Sequence, residues 1–167
     1  VIAVELVNEQ RLDAGALTRI LAIDPPSITK LHDDDLPDFS ALADALRQIF
    51  EDLRRRDVDA AASRLNDLLA RHPAHPHLAK EDGVWRMHHH PAVIDLVPMW
   101  TATCAEAMAR MIGAGHAERF GTCAAPDCHR VFFDVSKNAS RRFCSTTCQN
   151  RVKATAFRRR RGSSGSA

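Results

Sequence analysis

Residues Cys123 to Arg161 read CAAPDCHRVFFDVSKNASRRFCSTTCQNRVKATAFRRRR, and this stretch decides the architecture of the C-terminal part of the chain. Its four cysteines fall into two close pairs, Cys123/Cys128 and Cys144/Cys148. Thiolates gathered in this way point to Zn²⁺, which takes four soft ligands in a tetrahedron. The short spacing inside each pair lets it bend around one ion. The link between the pairs predicts strand, turn and strand. Val131-Phe132-Phe133 is apolar, Ser136-Lys137-Asn138 is turn chemistry, and Arg142-Phe143 leads back to the third cysteine. Two disulfides are the competing reading, but disulfides follow secretion. Val1-Ile2-Ala3-Val4 is interrupted by Glu5 too soon to form the apolar core of a secretory signal. A closed four-thiolate site has no open coordination position, so the expected ion is structural rather than catalytic.

Beyond Cys144, Ser145 or Thr146 is placed to cap a helix that starts around Cys148 and runs through Val152 and Ala156 toward Arg161. Knuckle, hairpin and ligand-bearing helix together make a treble-clef-like finger. The run Cys144-Ser145-Thr146-Thr147-Cys148-Gln149-Asn150-Arg151 resembles the signature of the CGNR zinc-finger family. Members are bacterial proteins that join an alanine-rich N-terminal domain, called ABATE, to a C-terminal finger. The resemblance extends over the whole chain, and its specific part is the finger. It implies an ABATE-like domain over residues 1–118 and a four-cysteine finger with a basic helix over 119–161; the Gly/Ser-rich residues 162–167 read as a flexible tail. The resemblance also implies one structural Zn²⁺, DNA as a partner, and a role in transcription regulation. Gln149 departs from the family pattern, which has glycine there. Gln is the better helix former, so a helix already under way at this point tolerates it. A glycine that lets the backbone approach a phosphate would be missed.

The chain has 167 residues and a formal net charge of +2, which suits one medium domain plus a small module. That small net charge hides a division. Up to Thr122 there are 13 Lys/Arg against 19 Asp/Glu, a net of −6. From Cys123 onward there are 10 against Asp127 and Asp134, a net of +8. An acidic body carrying a basic arm predicts a polyanionic partner; mutual attraction of the two halves is the plainer alternative. No apolar run reaches the roughly 18–20 residues of a membrane span, and the expected setting is soluble and cytoplasmic.

The body predicts a mainly α fold with small β-hairpins. Val4, Val7, Leu17, Ile20 and Leu21 fit a helix that Asp24-Pro25-Pro26 ends. Residues 27–39 read as a polar connector, with Asp33-Asp34-Asp35 as a solvated turn lacking calcium-loop spacing. Ser40 is the expected N-cap of a helix with Leu42, Leu46, Ile49, Phe50 and Leu53 inward. Arg54-Arg55-Arg56 suits its C-terminal dipole. A second helix starts at Asp57 or Asp59, buries Ala62, Leu65, Leu68 and Leu69, and stops at His72-Pro73. His77 to His90 predicts a hairpin turning at Asp82-Gly83. A long helix then runs from Pro91 to Gly115, with Val93, Trp100, Cys104, Ala107, Met108 and Met111 inward and Pro98 at a kink or at its true start. Trp100, Met108 and Met111 form either ordinary core or the wall of a small-molecule pocket.

Three functions follow from these residues. In the first, DNA is held by Asn150, Arg151, Lys153, Arg158, Arg159, Arg160 and Arg161 on the basic helix, with Arg141 and Arg142 adding backbone contacts. Asn and Arg can read bases while the other cations hold phosphates; Asn150-Arg151 can equally brace the knuckle. The acidic body would sense a small-molecule effector or form a homodimer. In the second, the finger and arm bind protein or RNA without sequence-specific DNA binding. The third is an enzyme using a second metal held by His88 and His90, which share a strand face, and His77 across the turn; a half-exposed strand with soluble side chains is the plainer alternative. No carboxylate is spaced to complete a catalytic set there, so the chain is read as a non-enzyme.

Overall fold

The computed structural model describes residues 2–73, 75–81, 83–88 and 95–163, with the side chains of 81 and 159–163 left aside. Helices α1 (Ile2–Asn8), α2 (Ala14–Ile20), α3 (Pro25–Lys30), α4 (Leu36–Arg54) and α5 (Val58–Arg71) come first. The ribbon β1 (His77–Glu81) and β2 (Val84–His88), helix α6 (Leu96–Gly113), strands β3 (Phe120–Thr122) and β4 (Val131–Phe133), and helix α7 (Thr146–Ser163) complete the chain. Both strand pairs are antiparallel. The fold is mainly α with two small hairpins, as the periodicity predicts.

Helix α4 is the axis of the core. Phe39, Leu42, Leu46, Ile49, Phe50 and Leu53 recur at helical spacing, and all are buried. Burying such side chains contributes roughly 1.5–3 kcal/mol each. Helices α1 and α5 pack on α4, and α6 packs on α5. The junction between α4 and α5 is tight. Arg56 takes a left-handed backbone conformation (φ 62°), which lets its N–H reach the Leu53 carbonyl and that of Asp57 reach Asp52. The Asp52 carboxylate is buried and receives Arg64 Nε from α5 at 2.6 Å, with Arg55 at 3.5 Å. Asp57 caps α5 by accepting from the Ala60 N–H.

Several boundaries differ from the sequence-based expectation. The first helix is broken between Asn8 and Asp13, because Asp13 caps a new helix through the Ala16 N–H at 2.8 Å. Pro25 opens α3 rather than closing the previous helix, since proline loses no hydrogen bond at a first helical position. Helix α4 starts at Leu36, before Ser40. The Ser40 hydroxyl therefore bonds back to the Leu36 carbonyl inside the helix instead of capping it. In α5 the buried alanine is Ala61, and Ala62 is half-buried. Pro98 stands in the first turn of α6, so it marks the beginning of that helix. Ala107 faces solvent, and Met108 and Cys104 are core. Burial pushes the Cys104 thiol up to about 12, which leaves it unreactive. His89, His90, Pro91 and Val93 lie outside the described residues.

Helical body and finger share one core. Phe120 of β3 and Val131 of β4 belong to the same buried cluster as α4. The Phe50 and Phe120 rings meet edge to face at 5.7 Å. At the end of α1, the Asn8 side chain grips β4 like an additional strand residue. Its Nδ2 donates to the Val131 carbonyl at 2.9 Å, and its Oδ1 accepts from the Val131 N–H at 2.7 Å.

Candidate functional site

The C-terminal site begins with β3 and β4, which are joined by the knuckle that carries the first cysteine pair. The Cys123 N–H bonds to the Arg130 carbonyl at 2.9 Å, closing the loop at its base. Its tip turns where Asp127 takes φ 59° and the Cys128 N–H reaches the Ala125 carbonyl. Here the structure corrects the predicted hairpin. Val131–Phe133 pairs backward with Phe120–Thr122 and not forward with Arg142-Phe143. The returning segment touches the knuckle through one backbone bond, from the Ala124 N–H to the Arg142 carbonyl at 2.8 Å. Gly121 is required in β3. A Cβ there would lie 2.5 Å from the ring of Phe132, its cross-strand partner.

Asp134 turns the chain after β4. Its buried carboxylate accepts from the Ser136 N–H at 2.8 Å and the Arg141 N–H at 2.6 Å. The Arg119 guanidinium bonds the carbonyls of Asp134 and Ser136. Hydrogen bonds from Ser136, helped by the Arg141 N–H and the Arg119 charge, outweigh burial and hold the Asp134 carboxyl below its ordinary range. Arg141 then spans the loop, with Nε on the Phe143 carbonyl at 2.9 Å and Nη2 on that of Cys144. Its guanidinium lies 4.8 Å from the centre of the Phe132 ring. These bonds deliver Cys144 to the knuckle.

The four sulfurs converge. Cys128, Cys144 and Cys148 stand 3.7–3.8 Å apart, and Cys123 lies within 4.8 Å of them all. Four sulfurs at ~2.3 Å from one ion at tetrahedral angles would be about 3.8 Å apart. The observed spacing fits that ion, and it is far longer than a disulfide bond of ~2.05 Å. Burial opposes a Cys123 thiolate. Backbone N–H groups of Cys144 and Ala125 aimed at its sulfur prevail and bring it down to about 7. Burial and the adjoining thiols push Cys144 up to about 12. A dication is what lets four thiolates stand together in such a site. The donor set fits a single structural zinc ion, and the four cysteines leave no coordination position for a substrate.

Helix α7 starts from this centre. Ser145 caps it by accepting from the Cys148 N–H at 3.2 Å, so the helix is under way by Gln149 and accommodates glutamine there. Arg151 turns back to the knuckle, donating to the Pro126 carbonyl at 3.0 Å and approaching Cys148 Sγ at 4.0 Å. The other basic-helix residues are placed differently. Asn150, Lys153 and Arg158 are exposed, and Arg159, Arg160 and Arg161 continue the same helix. Arg142 is exposed beside the Phe143 ring. Arg142 and Lys153 line opposite sides of a groove of about 730 Å³ between the 140–146 segment and α7.

Residues 3–115 match the family model ABATE, described as "Putative stress-induced transcription regulator". The chain belongs to the ABATE family. Residues 119–161 match the CGNR zinc finger, so this ABATE protein carries its finger directly after the family domain. No curated protein matches the chain. The ABATE description is that of a regulator and the other names a zinc finger; neither describes an enzyme. Among the described residues no helix is long and apolar enough to cross a membrane.

The histidine-rich ribbon does not assemble a second metal centre among the described residues, where the four cysteines are the only group close enough to share an ion. His77 and His88 pair across the ribbon and stack at 5.4 Å, and His90 lies outside the described residues. Asn8 and Asp134, which seat the finger, had no signal in the sequence. A lone asparagine at a helix end and an aspartate after a strand are ordinary until their partners are known.

Proposed function

We propose that this ABATE protein is a transcription regulator that grips duplex DNA with α7 and the rim of its groove, while the helical body senses a ligand. The observation that carries this reading is the setting of α7. Past Val152 the helix is exposed at every described side chain through Arg158. From Val135 to the C-terminus the chain has 9 Lys/Arg and no Asp or Glu. A helix exposed on all sides has no core to stabilise it, and isolated helices of this length are marginal in water. A polyanion that neutralises the arginine run supplies what the fold leaves out.

Within this reading the roles divide. Arg151 and Arg141 brace the finger. Lys153, Arg158, Arg159, Arg160 and Arg161, with Arg142 across the groove, face phosphate, and Asn150 is the candidate for a base edge. The test is fluorescence anisotropy of a duplex with zinc-loaded protein across a salt series. Each neutralised phosphate adds about −0.9 to the log–log slope, so a slope of about −3 or steeper is expected. Deleting the segment from Arg158 onward should flatten it. Absence of binding at low salt, or preference for structured RNA in competition, would overturn the assignment to duplex DNA.

A further inference from the structure

A second site has none of the four cysteine ligands in its lining. A cleft of about 550 Å³ opens between α1, α3, the β1–β2 ribbon and α6. Its volume is in the range of metabolite pockets. Trp100 and Met99 from α6 and Met87 from the ribbon give it an apolar lining, and Asp24, Lys30, His77 and His88 supply polar groups. The indole of Trp100 is fixed, since its N–H donates to the buried Ser27 hydroxyl at 3.0 Å and Ser27 donates to the Asp24 carboxylate. Ser27 is thereby committed to orienting the ring, and the Asp24 carboxylate already holds a donor. The stacked imidazoles of His77 and His88, with ring planes 27° apart, add a second flat surface. Methionines beside such surfaces adapt to an inserted group.

Lys30 is the one lysine or arginine of the described lining, which also carries the Asp24 carboxylate. Among the described residues Lys30 makes no ion pair, and it lines the cleft from an exposed position at the end of α3. An oriented indole, a flat histidine pair and one ammonium group not engaged in an ion pair define a ligand with a planar apolar body and a single negative charge. We propose that this cleft binds a small aromatic carboxylate, its ring against Trp100 and its carboxylate on Lys30. The proposal rests on reading the body as the sensing part of a regulator and names what it senses. Ile2 lines the cleft, and Asn8 at the other end of the same helix holds Val131 of the finger, so the cleft and the finger share α1.

The full-length, zinc-loaded protein is the sample, and no DNA is added, so failure here is distinct from failure of DNA binding. The chain has two tryptophans, and Trp85→Phe assigns the Trp100 indole N–H resonance. Titration with 2-naphthoate should shift that resonance saturably. The neutral 2-naphthamide should bind about five-fold more weakly or worse. Lys30→Gln, a change at an exposed residue, should weaken 2-naphthoate by about the same factor and leave 2-naphthamide unchanged. No saturable shift at Trp100, equal affinity for acid and amide, or an unaltered Lys30→Gln titration would each overturn the proposal.

Discussion

Replacing Asn8 by alanine tests the claim that the finger is seated on the body by a side chain imitating a strand. The substitution removes two hydrogen bonds, at 2.7 and 2.9 Å, from the backbone of Val131, a residue only 3% exposed. Each bond contributes about 1 kcal/mol net, and a buried backbone group left without a partner costs about 1–3 kcal/mol more. Asn8 itself is half-buried, so water can enter in part, and the expected loss is about 2–3 kcal/mol. In a chain of this size each kcal/mol lowers Tm by about 2–4 °C, which gives a fall of about 4–12 °C. Urea unfolding of zinc-loaded protein followed by circular dichroism measures the first quantity. Amide exchange at Val131 supplies a local check, because 2–3 kcal/mol corresponds to about 30–150-fold faster exchange if local opening sets the rate. Zinc content should stay at one ion, since no cysteine ligand touches Asn8. A destabilisation under about 0.5 kcal/mol, within the ordinary range for a surface substitution, or unchanged protection of Val131, would refute the reasoning.

Three other outcomes follow from the geometry. Gly121→Ala drives a methyl group into the Phe132 ring and should cost about 1–3 kcal/mol; a neutral result in urea unfolding would show that the ring is not confined. Arg56→Gly relieves a left-handed φ at the α4–α5 junction and should stabilise by about 0.5–1 kcal/mol after the greater freedom of glycine in the unfolded chain is subtracted, with a measured loss counting against the strain argument. Asp134 has a folded-state pKa below its unfolded value, so its contribution is present above about pH 4 and is lost as pH falls through the folded value. The stability gap between wild type and Asp134→Asn should therefore be widest near neutrality and narrow in acid, and a gap unchanged between pH 7 and about pH 3 would deny the role given to this carboxylate.

Composition, spacing and periodicity made much of the molecule legible. Cys123, Cys128, Cys144 and Cys148 announce a zinc site through residue type and short-range spacing, and the structure brings their sulfurs within 4.8 Å of one another. Leu42, Leu46, Ile49, Phe50 and Leu53 announce α4 by a helical stripe, and Asp82-Gly83 announces the ribbon. Such features are local, because the chemistry that fixes them lies within a few residues. Helix starts were less legible where two local signals competed: Ser40 looks like a cap, yet Leu36 and Pro37 open the helix a turn earlier.

What the tertiary structure decided is everything that depends on partners distant in the chain. Val131–Phe133 is a strand by its own sequence, but its pairing with Phe120–Thr122 goes with distant contacts: Phe120 packs on Phe50, and Asn8, 123 residues away, grips Val131. Arg141, Arg142, Arg151 and Lys153 are all basic in the sequence. The fold engages the guanidinium groups of Arg141 and Arg151 on backbone carbonyls, while Arg142 and Lys153 line the groove without such bonds among the described residues. Charge composition is a property of the chain alone. Which charges remain available to a partner depends on which carbonyls the folded backbone leaves in need of a donor.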